Sequence, residues 1–164
     1  MGQVMYGLLQ ARSMYVASRL PSYMHVYEAL LGALICYKGD AALGKSLTSF
    51  EILTISDLLL PLQRIVNIAC KKLQKQLYLL APYVLGQILH TIVQCKRATT
   101  EHNRIASNVH SVCFSLIAIY DSHAPSYLLR TLDESSRLLF TDITKRYERR
   151  TERFNSHKVR GKSH

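Results

Sequence analysis

Turn chemistry is scarce in this sequence. Only 7 glycines and 4 prolines are spread over 164 residues, and the hairpin dipeptides Asn-Gly and Asp-Gly are missing. Short β-hairpins lean on those dipeptides, so an all-β meander or sandwich finds little support. Clustered thiols are missing too. Cys36, Cys70, Cys95 and Cys113 include no C-x-x-C pair, which removes the metal-ribbon and dithiol redox readings. Each cysteine sits in an apolar helical context and reads as a small buried hydrophobe in a reducing compartment, not as part of a disulfide scaffold. Acidic residues are few: 11 Asp and Glu stand against 21 Lys and Arg, a formal net charge of +10. Such a surplus calls for an anionic partner, whether nucleic acid, an acidic protein or a membrane surface.

Catalytic patterns are equally thin. The histidines at 25, 90, 102, 110, 123, 157 and 164 have no Asp or Cys at ligand-like spacing, although His102 and His110 share a helix face. Asp57, Asp133 and Asp142 read as cap or surface residues, and no serine elbow is present. Neither a metal nor a cofactor is expected. Residues 39–46, GDAALGKS, do match the phosphate-loop pattern in full. A working phosphate loop follows a buried strand and opens a helix. Here ALLGALICYK precedes it at helical spacing, no βαβ units follow, and no strand ending in a magnesium-binding Asp is visible. Gly39–Ser46 is therefore expected to be a loop between helices, with a nucleotide-dependent enzyme as the alternative. Targeting signals are weak as well. Tyr6 stands where a myristoylation motif needs Ser or Thr, and Gln10 and Arg12 interrupt a signal-peptide core. Between Lys75 and Lys96 no residue is charged, and that stretch is long enough to cross a bilayer. Gln76, Gln87, His90, Thr91 and Gln94 are costly in lipid, so a buried core helix is the better reading, with a small helical membrane protein as a further alternative.

What the chain does have is helical periodicity, and at 48% hydrophobic residues it has the material for one core. A first helix is expected over 3–18 with Val4, Met5, Leu8, Leu9 and Val16 inward. A second restarts at Leu20-Pro21 and runs to about Tyr37, carrying Met24, Tyr27, Leu30, Leu31 and Leu34. Thr48-x-x-Glu51 offers a capping box. The stripe Ile52, Ile55, Leu58, Leu59, Leu62, Ile65, Val66, Ala69 and Leu73 follows it. Pro61 should kink or split that helix, and Pro82 should begin a shorter one over about 82–95. Lys71, Lys72 and Lys75 make a basic helix end.

The segment Val109–Tyr147 organises the rest. Val109, Val112, Cys113, Leu116, Ile117 and Tyr120 form one apolar stripe, which Asp121 and Ser122 end. Pro125 suits the first turn of a short helix reaching about Arg130. Thr131-x-x-Glu134 and Asp133 offer alternative caps for a third helix, with Leu138, Leu139, Ile143 and Tyr147 inward and Phe140 at the edge. The short middle helix needs clamping by both neighbours, so Leu116, Leu128, Leu138 and Leu139 are expected to be buried. The run IYDSHAPSYLLRTLDESSRLLFTDITKRYER also resembles the C-terminal domain of the unhealthy-ribosome-biogenesis family, the nucleolar pre-ribosomal-associated proteins. The likeness lies in Leu128-Leu129, Leu132-Asp133, Arg137-Leu138-Leu139-Phe140 and the basic helix end at Tyr147. Tyr78, Ala81-Pro82-Tyr83 and Leu85 extend it to the middle of the chain, and Arg19-Leu20-Pro21-Ser22-Tyr23 to its start. Members of that family are much longer chains closed by this domain, so a fragment, an isoform or an incomplete gene model are the readings left open. The resemblance implies a non-enzymatic nucleolar scaffold for early assembly of the large ribosomal subunit, whose partners are other assembly factors and pre-ribosomal RNA.

From Lys145 onward the composition turns basic. Eight Lys or Arg stand against Glu148 and Glu152. Residues 155–164 lack apolar periodicity and are expected to be a disordered basic tail after a helical domain of residues 1–154. Arg149, Arg150, Arg153, Lys158, Arg160 and Lys162 are the candidate RNA contacts, because phosphate recognition needs dispersed positive charge and little geometry. The competing reading is a tail that only solubilises. The expected fold is all-α: six to eight helices in antiparallel hairpins, forming an α-solenoid-like (armadillo/HEAT-like) array without a fixed sequence repeat.

Overall fold

The computed structural model describes residues 1–37, 47–95 and 103–160, with 154–160 described by backbone alone. Among the described residues there are eight helices and no strand. They are α1 (Gly2–Ala11), α2 (Ser13–Ser18), α3 (Leu20–Ile35), α4 (Ser49–Lys72), α5 (Gln74–Gln94), α6 (Asn103–Ile117), α7 (Ala124–Thr131) and α8 (Glu134–Arg160). The segment ahead of Gly39–Ser46 is thus helical through Ile35. The phosphate-loop pattern itself lies outside the described residues.

Local sequence sets most boundaries. The capping box at α4 forms: the Glu51 N–H donates to Thr48 Oγ1 at 3.3 Å and the Thr48 N–H to Glu51 Oε2 at 2.8 Å. Asp121 closes the turn after α6, where its Oδ1 accepts from the His123 and Ala124 N–H groups at 3.0 and 2.8 Å. Pro125 stands in the first turn of α7. Asp133 directly precedes α8, and hydrogen bonding from Ser136 holds its carboxyl below the ordinary value.

Several expectations are corrected. The first helix is two, broken at Arg12 (φ −134°, ψ 45°). The break lets Met5 and Leu9 share the core with Val16, while Val4 and Leu8 remain exposed. Pro82 does not begin a helix but lies inside α5, and Pro61 lies inside α4. An internal proline costs about 3 kcal/mol. In α5 that cost is offset by the buried run Leu77, Ala81, Val84, Leu85, Ile88, Leu89 and Ile92 around it. Leu138 is 69% exposed and Leu139 only half-buried, whereas Phe140 and Ile143 are buried. The inward stripe of α8 is Ser136, Phe140, Ile143 and half-buried Tyr147: Ile143 and Tyr147 turn inward as expected, while Ser136 and Phe140 take the place of Leu138 and Leu139. Finally, α8 continues to Arg160, past the expected start of the tail at 155. No glycine or proline interrupts residues 134–160, so nothing stops the helix earlier.

Helices stack in units. In α1 and α4, Gly2 faces Pro61 and Gln10 accepts from the Lys72 ammonium at 3.0 Å, so the two run parallel. The pair α4 and α6 is also parallel: Asn108 Nδ2 donates to Ser56 Oγ at 2.9 Å, and Ser115 Oγ to Asn67 Oδ1 at 2.6 Å. On the other side α3 and α5 run parallel, with Gly32 against Thr91 and a disulfide between Cys36 and Cys95. That pairing corrects the reading of all four cysteines as lone hydrophobes. Spacing along the chain gave no hint of it, because a packing of helices 59 residues apart creates it. Cys70 and Cys113 do follow the expectation: both are buried, and burial pushes each thiol up to about 12, which leaves them inert. They surround the fully buried Tyr27, whose hydroxyl burial holds protonated, well above its ordinary value. The unit α1–α3 packs on α4 and α5, which pack in turn on α6–α8. By length and composition α4 and α5 could each cross a membrane, but here their apolar stripes supply the core of the fold.

Candidate nucleic-acid interface

The basic helix α8 is held on the body by Phe140, Ile143 and Tyr147. Beyond that anchor it leaves a groove of about 560 Å³ between itself, α4 and α6. The floor comes from α6 and the turn directly after it, where Ser111, Ser115 and Ala118 recur at i, i+4 and i+7. Their small side chains keep the space open. One wall is Gln63 and Asn67 of α4, and the other is Tyr147, Arg150, Thr151 and Arg153 of α8. Phe114 stands between them. Its ring lies 5.8 Å from that of Tyr147 at 47°, and the Arg150 guanidinium sits 5.7 Å from its centroid.

Most hydroxyls in the groove are already used. Ser111 donates to the Ser107 carbonyl at 3.0 Å and Thr151 to the Tyr147 carbonyl at 3.0 Å. Ser115 reaches both Asn67 Oδ1 and the Ser111 carbonyl. Among the described residues the Gln63 amide and the Asn67 amide nitrogen take no protein hydrogen bond. Ion pairs are equally sparse. Arg146 pairs with Asp142 at 2.8 Å, but among the described residues no ion pair engages Arg149, Arg150 or Arg153. Among the described residues no acidic side chain lines the groove. Its polar capacity therefore consists of two cations and two amides.

Of the six candidate contacts, the structure brings Arg150 and Arg153 together at the groove. Arg149 is exposed but does not line it. Arg150 and Arg153, at i and i+3, are thus the pair that shares this face. Lys158 and Arg160 lie on the backbone of α8 with their side chains outside the described residues, as is Lys162 altogether. Lys72 is committed to Gln10. Sequence reasoning missed Gln63, Asn67 and Phe114. The available signal was polar Gln63 and Asn67 at i, i+4 beside an apolar stripe, and an aromatic ring just off the stripe of α6.

Beside it, at α6, His110 is held below its ordinary value by burial, reinforced by the Arg146 charge and opposed by Asp142. A second groove, of about 360 Å³, lies between α5 and α7. Tyr83 and Tyr127 face each other across it at 5.1 Å and 57°. Leu128 and Gly86 form its floor, and Asp133 closes one end. A side chain at Gly86 would meet Leu128 at 3.5 Å, so glycine sets that depth.

No curated protein and no solved structure gives a significant match to this chain. A family model does match, over residues 1–154: the Urb2/Npa2 family, a ribosome-biogenesis family and not a known enzyme family. The match covers most of the sequence, and the chain belongs to the Urb2/Npa2 family.

Proposed function

We propose that this chain is a non-enzymatic assembly factor of the nucleolus, acting early in building the large ribosomal subunit. It works as an α-solenoid-like array of helical hairpins that holds other assembly factors, and it contacts pre-ribosomal RNA through α8. Family membership supplies the ribosomal context. The observation that carries the RNA contact is the pair Arg150 and Arg153, which among the described residues have no ion-pair partner and no acidic neighbour in the groove lining. Guanidinium groups not held in ion pairs are available to phosphate, which they bind through charge-assisted hydrogen bonds. Release of counterions from the RNA then drives association.

The test is affinity purification of the tagged chain from nuclear extract, with the co-purifying RNA sequenced. Precursor RNA of the large subunit is the expected enrichment. Recovery of assembly factors with no RNA above background would reduce the role to protein scaffolding.

A further inference from the structure

We propose that the groove between α4, α6 and α8 receives one unstacked base of single-stranded RNA, stacked on Phe114, with the neighbouring phosphates on Arg150 and Arg153. This rests on the RNA contact proposed above and adds a base-reading element to it. Phosphate recognition alone needs only dispersed charge. Recognition of unpaired RNA adds two further parts: an aromatic face for the base and side-chain amides or hydroxyls for its edge. Both are present here and converge with the charge.

The aromatic face is Phe114. The ring is only partly buried, and Tyr147, at 5.8 Å and 47°, buttresses it. Arg150 at 5.7 Å is too far for close van der Waals contact, which comes at about 3.5–4.0 Å. A base sandwiched between ring and guanidinium needs about twice that spacing. The exposed arginine therefore has to swing outward by about 1–2 Å to cover the base. The edge-reading groups are the free amide of Gln63 and the free amide nitrogen of Asn67, on the wall opposite α8. Amides of this kind hydrogen-bond to base edges. Small residues on α6 leave room, and the volume of about 560 Å³ falls within the ~300–1,000 Å³ typical of small-ligand sites. The lack of a carboxylate in the lining suits a polyanion.

The second groove has the stacking rings but, among the described residues, no Lys or Arg in its lining, and it carries Asp133. It therefore offers an internal control.

The experiment is fluorescence anisotropy with the 164-residue chain, using a labelled single-stranded RNA oligonucleotide and the same backbone made abasic. Phe114→Leu keeps apolar bulk but removes the π face. It should weaken binding of the normal oligonucleotide by about 5- to 150-fold, the worth of one base–aromatic stack. Binding of the abasic strand and the salt slope should stay unchanged, because no phosphate contact is lost. Phe114→Tyr should restore affinity. On the unaltered chain, ultraviolet crosslinking to oligouridine should map to Phe114 or Tyr147, a readout independent of any variant's folding. The base site is overturned if Phe114→Leu, with unchanged melting temperature, binds both strands as the parent does, or if the crosslinks map outside the groove. In that case the electrostatic RNA contact survives. If the parent chain binds neither strand at low salt, the RNA reading itself fails. If an oligoglutamate peptide binds instead and loses affinity in Phe114→Leu, the groove is a protein-docking site.

Discussion

The two grooves of this protein are built alike and charged differently. Each sits between neighbouring helices and holds two aromatic rings within 6 Å of one another. In one, Arg150 and Arg153 overlook the rings; in the other, Asp133 does. Aromatic rings tolerate many ligands, so shape alone would leave the two interchangeable. Charge separates them: the first suits a polyanion, whereas the second repels one. The lesson is that a helical scaffold can repeat a cavity cheaply and change the charge it presents with one or two side chains.

The largest expected effect comes from removing a wall of the first groove. Ile143 is fully buried and seats α8. Ile143→Asp buries an unpaired carboxylate, costing several kcal/mol, on the order of a domain's whole stability. Urea or thermal denaturation should show a protein unfolded or close to it. Leu138→Asp, at 69% exposure, should stay within about 0.5 kcal/mol of the parent. Equal effects would mean that α8 seats on a different face, and the first groove would lose its geometry.

That pair of variants also marks what was legible in the sequence. Helical class, the capping box at Thr48–Glu51, the stop at Asp121 and the short α7 all followed from local chemistry, and the structure has them. The stripe of α8 followed only in part: Ile143 and Tyr147 turn inward as expected, whereas Leu138 does not. Leu138, Leu139, Phe140 and Ile143 offer two overlapping helical faces, and the positions of α5 and α6 choose between them. The same holds for Cys36 and Cys95, whose contact exists only because α3 lies along α5. The candidate site was half visible. Its charge is local and was read from composition. Gln63 and Asn67 share a face of α4, but Phe114 comes from α6, distant in sequence, and no pattern along the chain joins the ring to the two amides.

A smaller loss should follow cutting the disulfide, which touches neither groove. A cross-link spanning 59 residues restricts the unfolded chain by about 2–4 kcal/mol. Cys36→Ser with Cys95→Ser should lower the melting temperature accordingly while RNA affinity, measured below the transition, stays put. Thiol titration of the unfolded parent should count two free cysteines, Cys70 and Cys113. A count of four would mean that the pair is reduced in solution, and the stability difference should then vanish.

The comparison itself is tested by exchanging the charges. Arg150→Gln with Arg153→Gln should flatten the salt dependence of RNA binding by about 1.4 in log–log slope, roughly 0.7 for each lost contact to a single strand. Adding Gln at 149, 158, 160 and 162 should flatten it further if those side chains track the same backbone. Replacing Tyr83 and Tyr127 by Ala in the second groove should leave RNA affinity and slope unchanged. RNA binding that depended on the tyrosines and ignored the arginines would reverse the assignment of the two grooves.

The smallest effect is a pH dependence confined to the first groove's edge. His110 of α6 faces Arg146 and Asp142 of α8, and burial together with the Arg146 charge lowers its pKa from the ordinary 6.5. The unfolded chain therefore binds a proton at a higher pH than the folded one. The neutral imidazole favours the fold above about pH 6.5, and that preference is lost as pH falls through the lowered folded value. Stability should decline from neutral towards mildly acid pH, and the seating of α8 on α6 should loosen first. Glu28 works in the opposite sense: burial raises its carboxyl above 4.5, so its contribution is present in acid and fades as pH rises through the raised value. The difference between the parent and His110→Gln removes Glu28 from the comparison, since both proteins share it. Subtracting the two stability–pH curves should leave a step that begins near pH 6.5 and deepens downward. Amide exchange along α8 should quicken over the same range in the parent only. A flat difference curve would place His110 in free exchange with solvent, and the contact between α6 and α8 at the groove's edge would be looser than the structure describes.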